Sequence, residues 1–123
     1  MKRINEKVVE TPIPVEPEPA IVVQEMPEFP GGEAALLKFV GDNVKYPSDA
    51  QNNNIQGKVI LRFVVRSDGS VDRIEVLRGI DPSLDNEAVR VVKTLPRFKP
   101  GKQGGVAVPV WFLLPVTFRL ENN

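Results

Sequence analysis

Three stretches contain residue types that could bind a cation or an anion, but in each of them another interpretation fits the sequence better. Asp68, Ser70 and Asp72 alternate as the ligands of a calcium loop do, but the glycine is misplaced and no glutamate closes the loop. The loop PGKQGG, residues 100–105, lacks phosphate-loop spacing and follows no predicted strand. Gly31–Gly32 precedes a predicted helix and could bind an anion, but a tight turn explains the pair more simply. We interpret all three stretches as turns or loops.

The sequence contains no histidine and no cysteine. This removes the commonest general base, the commonest metal ligand and every thiolate site. Glu28, Glu33 and Asp42 are scattered, and nothing in the sequence pairs them for acid–base catalysis. We therefore expect no catalytic residue, no metal site and no cofactor, and we expect that the protein is not an enzyme.

The charge balance narrows the classes of partner. Sixteen basic and 16 acidic residues give a net charge of zero, which argues against a nucleic-acid-binding protein and against a polybasic membrane-surface module. No apolar run reaches the ~18 residues of a transmembrane helix, and residues 1–10 lack the apolar centre of a signal peptide. If the protein acts outside the cytoplasm, we expect this chain to be a mature form or a piece of a longer protein.

The chain length is typical of one domain, and proline use divides the chain. Six of the 12 prolines lie within residues 11–30. Val15–Pro19 cannot form a helix, because each proline removes an amide donor and disfavours helix in the residue before it. We interpret residues 1–19 as an extended Pro-rich linker, with a disordered tail as the alternative, and residues 20–123 as the folded domain. The apolar run at residues 20–25 could be a short strand that begins the fold.

Two segments have the apolar periodicity of helices that pack on a sheet. The first covers residues 31–44, and Pro47 then opens a short helical turn that an asparagine can end. The second covers residues 81–96, where Asp81 or Ser83 can cap the helix. The apolar residues at helical spacing are Leu36, Leu37, Val40 and Val44 in the first helix, and Leu84, Ala88, Val91 or Val92, and Leu95 in the second.

Residues 57–79 are predicted to form a β-hairpin with its turn at SDGS. In the second strand Val71, Ile74 and Val76 do not share one parity. We therefore predict a β-bulge near Asp72–Arg73, which would put all three side chains on the core side. The alternating apolar residues of the first strand are Val59, Leu61, Phe63 and Val65.

The last strand is predicted over residues 106–120 and contains two prolines of the same parity, Pro109 and Pro115. Backbone groups of alternate strand residues point to opposite edges, so both prolines remove donors from one edge only. This pattern is typical of an edge strand that pairs with the hairpin on one side and leaves the amides of Trp111 and Leu113 free on the other. The residues of the opposite parity are expected to face the core: Val108, Val110, Phe112, Leu114, Val116 and Phe118.

The predicted edge strand suggests a binding site. An extended peptide could add to the free edge by β-augmentation, flanked by Trp111 on the face opposite the core. The alternatives are plain packing for Trp111, and an edge covered by the N-terminal segment or by a second copy of the chain. The predicted fold class is α+β, a small antiparallel sheet of a hairpin plus a C-terminal edge strand, packed against two helices.

The order and spacing of these features resemble the C-terminal domain of TonB-family proteins. The family pattern runs from Tyr-Pro and a nearby Ala through Gly-x-Val, Asp-Gly, Glu-Ala and Pro-Gly to a last strand that ends near Phe. The resemblance covers about residues 20–120. The matching residues are Tyr46, Pro47, Ala50, Gly57, Val59, Asp68, Gly69, Glu87, Ala88, Pro100, Gly101 and Phe118.

The resemblance implies a periplasmic adaptor of an energy transducer. TonB-like proteins are anchored in the inner membrane by an N-terminal helix, cross the periplasm on a Pro-rich linker and use proton-motive force through the ExbB–ExbD complex. They bind outer-membrane receptors through an extended peptide, the TonB box, that adds beside the last strand. The chain has no such anchor, so we expect an excised domain or part of a larger protein.

The resemblance also implies two sets of peptide-contacting residues. One is the segment up to Tyr-Pro, where better-studied members carry Gln at the position of Asn43. The other is the last strand. The residues are Asn43, Val44, Lys45 and Tyr46 in the segment, and Val108, Val110, Trp111, Phe112, Leu113, Leu114 and Val116 in the strand.

Two other functions remain open from sequence. The chain could be an appended sensory or interaction domain of a membrane-bound regulatory metallopeptidase, or a cell-wall-binding module. An open edge also invites a strand-swapped homodimer.

Overall fold

The computed structural model describes residues 18–120. Residues 1–17 of the predicted linker and residues 121–123 therefore lie outside the described part of the chain. The predicted α+β class is confirmed, with helices and strands in the order α1 (Glu33–Asn43), α2 (Ser48–Asn52), β1 (Gly57–Val65), β2 (Val71–Arg78), α3 (Pro82–Lys93), β3 (Gly101–Gln103), β4 (Val106–Val108) and β5 (Val110–Phe118).

Three long strands form one antiparallel sheet in the order β2-β1-β5. β1 is central, because it pairs with β2 through the hairpin and with β5 through an unbroken register from Gly57 opposite Phe118 to Val65 opposite Val110. β3 and β4 form a separate two-stranded hairpin. β5 is thus an edge strand of the main sheet, as the proline pattern predicts.

The core lies on one face of the sheet, under α1 and α3. Alternate residues of β1 and β5 point into it because the side-chain period of a strand is two. The helices supply their apolar stripes to the same layer. The buried residues of this core include Val59, Leu61, Phe63 and Val65 of β1, Leu114, Val116 and Phe118 of β5, Leu36 and Val40 of α1, and Leu84, Ala88, Val91 and Val92 of α3.

Helix α3 begins as its sequence predicts. The Asp81 carboxylate accepts a hydrogen bond from the Ser83 amide at 3.0 Å, so Asp81 rather than Ser83 is the N-cap. Pro82 occupies the first turn, where its missing amide proton would have no helical partner. In the short helix α2, Asn54 adopts the left-handed conformation just beyond the end (φ 56°), which confirms the predicted role of an asparagine there.

The predicted bulge in β2 is confirmed. Arg62 lies opposite Glu75 and Val64 lies opposite Asp72. Between these two pairs β2 therefore contains one more residue than β1, which defines a bulge. Arg73, inside the bulge, has a φ of 53°. Two of the three side chains that we expected on the core side, Val71 and Ile74, pack against the core.

Two apolar side chains are more exposed than predicted. Val76 of β2 lies opposite the buried Leu61, yet 38% of it stays exposed because β2 is the outermost strand. Leu37 of α1 is 50% exposed. Successive helix residues point about 100° apart, and Leu36 and Val40 take the buried positions of this helix.

Two strand predictions were wrong in their extent. The single strand predicted over residues 106–120 is divided at Pro109, because the pairing with β1 ends where Val65 lies opposite Val110. Its first part, β4, pairs with β3 instead of joining the main sheet. The strand predicted at residues 20–25 is reduced to two isolated bridges, Ala20 with Val110 and Glu25 with Lys102. Val110 lies in β5 of the main sheet and Lys102 lies in the β3–β4 hairpin, so the segment passes from one to the other.

The hairpin turn between β1 and β2 depends on Gly69. Its φ is 87°, a conformation that residues with a side chain rarely adopt. The Gly69 carbonyl accepts a hydrogen bond from the Phe98 amide at 2.8 Å. A methyl group on Gly69 would lie 2.1 Å from the Phe98 carbonyl oxygen. The turn can therefore pack directly on the loop after α3 only if residue 69 has no side chain.

We expect Gly69→Ala to lower the free energy of unfolding by about 3 kcal/mol or more, because it combines a strained φ with a backbone overlap. Gly105→Ala is the matched control, because Gly105 has a similar φ of 79° and open space around the added methyl. That control should cost only about 1–2 kcal/mol. Urea unfolding of both variants measures the difference, and equal losses would show that the contact with Phe98 contributes nothing.

Candidate functional site at the outer edge of β5

The edge of β5 that faces away from β1 carries the candidate site. Paired residues in an antiparallel ladder alternate between bonded and non-bonded pairs. Ile60 lies opposite Pro115, which has no amide proton, so this is a non-bonded pair in which the Pro115 carbonyl points outward. By the same alternation the backbone groups of Leu113 and Thr117 also point outward. The two prolines therefore affect the outer edge alone, as predicted.

The N-terminal segment occupies the start of this edge. The Trp111 amide, which we predicted to be free, donates to the Ala20 carbonyl at 2.8 Å. The Ala20 amide donates in turn to the Pro109 carbonyl at 3.0 Å, in a parallel bridge. The outward groups of Leu113, Pro115 and Thr117 have no backbone partner in the part of the chain that the structure describes. The open edge, as we call it below, is the stretch from Leu113 to Thr117.

The two faces of β5 differ as the parity of its residues predicts. Val110, Leu114 and Val116 are buried in the core face, and Phe112 is partly buried there. The backbone groups of these four residues point to β1 and not to the outer edge. Their side chains therefore anchor the strand to the core. Val108 lies outside β5, in β4, and is half-buried.

Trp111 lies on the face opposite the core, as predicted, and it is next to the N-terminal segment. The Arg62 guanidinium sits 4.0 Å from the centre of its ring and the Arg73 guanidinium 5.2 Å, which are cation–π distances. Arg62 also pairs with Glu75 at 2.8 Å. Val64, opposite Trp111 in the register, is buried although it points to this outer face. Packing is therefore one role that Trp111 fulfils.

A shallow apolar groove lies beside Trp111 on the outer face. Its volume is about 420 Å³. Leu113 forms part of its wall and is 60% exposed, so a strand added at the open edge would have side chains close to this groove. The groove is lined by Ile21, Met26, Arg62, Leu77, Trp111, Phe112 and Leu113.

The predicted peptide-contacting residues before Tyr46 are hydrogen-bonded to α3 and not to β5. The Asn43 carbonyl accepts a hydrogen bond from the Arg90 guanidinium at 2.8 Å, and the Lys45 amide donates to the Glu87 carboxylate at 2.6 Å. Val44 is half-buried against the core. These three residues make no hydrogen bond or ring contact with β5 within the described residues.

Tyr46 is the member of that set that the structure brings to β5. Its ring meets Phe118 edge-on, with 5.7 Å between the ring centroids. Its hydroxyl donates to the Ile55 carbonyl. Burial raises the pKa of the Tyr46 hydroxyl, so the group remains a neutral donor at ordinary pH. Tyr46 therefore lies at the C-terminal end of β5, against a residue outside the predicted strand set.

Glu87 and Arg90 hold the segment before Tyr46 in place. Two hydrogen bonds of 2.7 Å join the Arg90 guanidinium to the Glu87 carboxylate, and only 11% of the Glu87 side chain is exposed. Hydrogen bonding to Arg90 holds the pKa of the Glu87 carboxyl below its ordinary value, against the opposing effect of burial. The Lys45 amide lowers this pKa further.

The sequence reasoning missed three residues of this region. The alternative that the N-terminal segment covers the edge is confirmed at Trp111, but nothing in the sequence pointed to Ala20 itself, because its partner is 90 positions away. The contact of Arg62 with Trp111 could have been predicted. Arg62 has the same parity as the other outer-face residues of β1, and a cation on that face can pack on a tryptophan ring. Glu87 was part of the family pattern, but its contact with Lys45 depends on how α3 packs.

Within residues 18–120, no helix is long and apolar enough to cross a membrane. No three acidic side chains of that range lie close enough together to hold a metal ion. The Asp68 carboxylate of the calcium-like motif instead accepts hydrogen bonds from the Ser70 amide and hydroxyl, as a turn requires.

We expect Glu87→Gln to lower Tm by a few degrees at pH 7, because it removes the ion pair with Arg90. Because the pKa of the Glu87 carboxyl is lower in the folded protein than in the unfolded one, its ionised form stabilises the fold. This stabilisation is complete above the unfolded pKa of about 4.3, and it is lost as the pH falls through the folded pKa. The Tm difference from wild type should therefore shrink below pH 4. Asp42→Asn, which breaks the exposed pair with Lys38 at 2.8 Å, is the control and should have little effect. A difference that does not shrink at all as the pH falls below 4 would contradict this account.

Comparison with known proteins supports the resemblance seen in the sequence. The family model described as "Gram-negative bacterial TonB protein C-terminal" matches residues 42–120. The proteins named TonB from Pseudomonas aeruginosa and Escherichia coli are 36% and 31% identical to this chain over 78 residues. That alignment covers 63% of this chain but 23% and 33% of those proteins. The chain thus spans about a quarter to a third of the length of these relatives.

Solved structures agree with the fold. The solution structure of the Pseudomonas aeruginosa TonB CTD superposes with a TM-score of 0.53 at 31% identity, covering 65% of this chain and 81% of that one. A solution structure of Helicobacter pylori TonB-CTD superposes with a TM-score of 0.57 at 22% identity, covering 73% of this chain and 95% of that one. The likeness to the second structure concerns the fold alone. Because the family model matches well over half of the chain, this protein belongs to the TonB C-terminal domain family.

Proposed function

We propose that this domain is the periplasmic adaptor of a TonB-type energy transducer. In this proposal it binds the TonB box, an extended peptide of an outer-membrane receptor, which adds as a strand to the open edge of β5. The observation that carries the proposal is the row of outward backbone groups from Leu113 to Thr117, which has no partner in the described part of the chain. Membership of the TonB family supports the choice of partner.

The chemistry of the open edge fits a peptide backbone. Leu113 and Thr117 each offer a donor and an acceptor, and Pro115 offers an acceptor alone. Pro115 also blunts the edge against unrelated strands. An added strand would place every second side chain on the outer face, beside Leu113 and the apolar groove. Backbone bonds would thus give affinity, and the groove would give side-chain selectivity.

The expected affinity is modest. Each backbone hydrogen bond contributes about 0.5–1.5 kcal/mol net, and ordering a flexible peptide offsets much of the sum. A dissociation constant of roughly micromolar follows. Several such bonds loaded together along a strand resist a pull better than they resist spontaneous release, which suits an adaptor that transmits force.

We propose the remaining functions from the family alone. The matched relatives are three to four times longer than the aligned part. In this proposal the whole protein is anchored in the inner membrane, reaches across the periplasm on its Pro-rich linker, and passes on proton-motive force from ExbB–ExbD for nutrient uptake. It acts as a non-enzymatic transducer.

The direct test is a titration of the ¹⁵N-labelled chain with peptides copied from the N-termini of outer-membrane receptors. We expect one peptide to shift the amide resonances of Leu113 and Thr117 most strongly, with smaller changes near Tyr46. Binding that leaves the resonances of β5 unchanged would rule out addition at this edge. A sub-nanomolar dissociation constant for an isolated peptide would contradict the modest affinity expected here.

A matched pair of variants tests the backbone contribution. Leu113→Pro removes an outward donor, and an edge strand tolerates a proline there as it tolerates Pro115. We expect this change to weaken peptide binding about tenfold, because a bond is lost and the ring obstructs the incoming strand. Leu113→Ala keeps the amide and should weaken binding less, through the side chain alone. Equal effects of the two variants would show that backbone pairing at Leu113 does not contribute.

A further inference from the structure

The N-terminal segment and an added peptide would compete for the same backbone groups. Between Pro109 and the end of β5, the outward amides belong to Trp111, Leu113 and Thr117. The Trp111 amide is bonded to the Ala20 carbonyl at 2.8 Å, and the Pro109 carbonyl is bonded to the Ala20 amide at 3.0 Å. A peptide strand that extends past Leu113 towards the start of β5 must displace Ala20.

Little holds Ala20 in that position. The two residues that follow it, Ile21 and Val22, are 74% and 76% exposed. The next anchors of the segment are the Gln24 amide, which donates to the Gln103 side chain at 3.0 Å, and the Glu25 amide, which donates to the Lys102 carbonyl of the β3–β4 hairpin at 3.0 Å. The contact at Ala20 thus consists of two hydrogen bonds and a half-buried side chain that is not part of the core, and it can open without disturbing the core.

We propose that Ala20 is a displaceable latch on the open edge. The inference rests on the proposed function. In the free domain, Ala20 satisfies the Trp111 amide and the Pro109 carbonyl, which keeps this end of the edge from pairing with unrelated strands. When a receptor peptide binds, it takes over both groups and extends its pairing from Leu113 to Trp111.

The latch lowers the apparent affinity of the peptide, because the fully open edge is populated only part of the time. It also sharpens selection. A peptide that pairs only with Leu113–Thr117 leaves the latch closed, whereas a longer matching peptide gains two further bonds at the expense of the latch. The length of the peptide strand thereby becomes part of what the domain recognises.

A substitution at Ala20 in the full chain tests the latch. Ala20→Pro removes the amide donor and places the proline ring against the Pro109 carbonyl, so both hydrogen bonds should be lost. Ala20→Ser is the control, because it keeps both backbone groups at the same position. Hydrogen exchange at the Trp111 amide reports whether the latch has opened, independently of any peptide. We expect exchange at this amide to accelerate about tenfold in the proline variant and to stay unchanged in the serine variant.

The same variants are then titrated with a receptor peptide that binds wild type and shifts the amide resonance of Trp111 as well as that of Leu113, so that its strand reaches the latch. The latch predicts about three- to tenfold tighter binding to the proline variant and unchanged binding to the serine variant. Faster exchange at Trp111 with unchanged or weaker peptide binding would overturn the latch and leave the proposed function intact. Unchanged exchange at Trp111 would overturn it as well, because Ala20 would then not hold the amide. Failure of every receptor peptide to bind any variant, wild type included, would overturn the proposed function and the latch together.

Discussion

The unbroken pairing of β1 with β5 is the constraint on which the rest of this structure depends. It joins segments about 50 residues apart in the chain through nine consecutive residue pairs. Because side chains alternate between the two faces of a strand, a register shift of one residue would place Trp111 on the core face and the buried Leu114 on the solvent face. It would also aim Pro115 at β1, where its missing amide proton would break the ladder. Hydrophobic burial and proline chemistry thus select the same register, and that register defines the open edge.

The other parts of the fold cover one face of the paired strands and leave the outer edge of β5 accessible. Helices α1 and α3 cover the core face, and α3 also holds the segment before Tyr46 through Glu87 and Arg90. The outer face has no helix over it within residues 18–120, and Arg62 and Trp111 shield part of it. Gly69 allows the β1–β2 turn to rest on the loop that leads from α3 to β3. The domain thereby buries the core face of β1 and most of that of β5, and it keeps one edge of β5 available.

Local patterns predicted the features that depend on local geometry. The period of two gave the core face of β5, and the shared parity of Pro109 and Pro115 gave its outer edge. The broken parity of Val71, Ile74 and Val76 located the bulge. What the sequence could not give were contacts set by packing between distant segments. Ala20 on β5 and Lys45 on Glu87 join residues 90 and 42 positions apart. The break at Pro109 was missed because β4 has its own apolar alternation, which continues that of β5 without showing that its partner is β3.

The position of Pro115 within the open edge has a further consequence for the balance of donors and acceptors. Along this edge the outward amides are present at Leu113, absent at Pro115 and present again at Thr117, whereas an outward carbonyl is present at all three residues. Any strand that paired with this edge would leave one of its own carbonyls opposite Pro115, whatever its register. The open edge is therefore richer in acceptors than in donors, and pairing along it would depend more on the amide protons of the added strand than on its carbonyls.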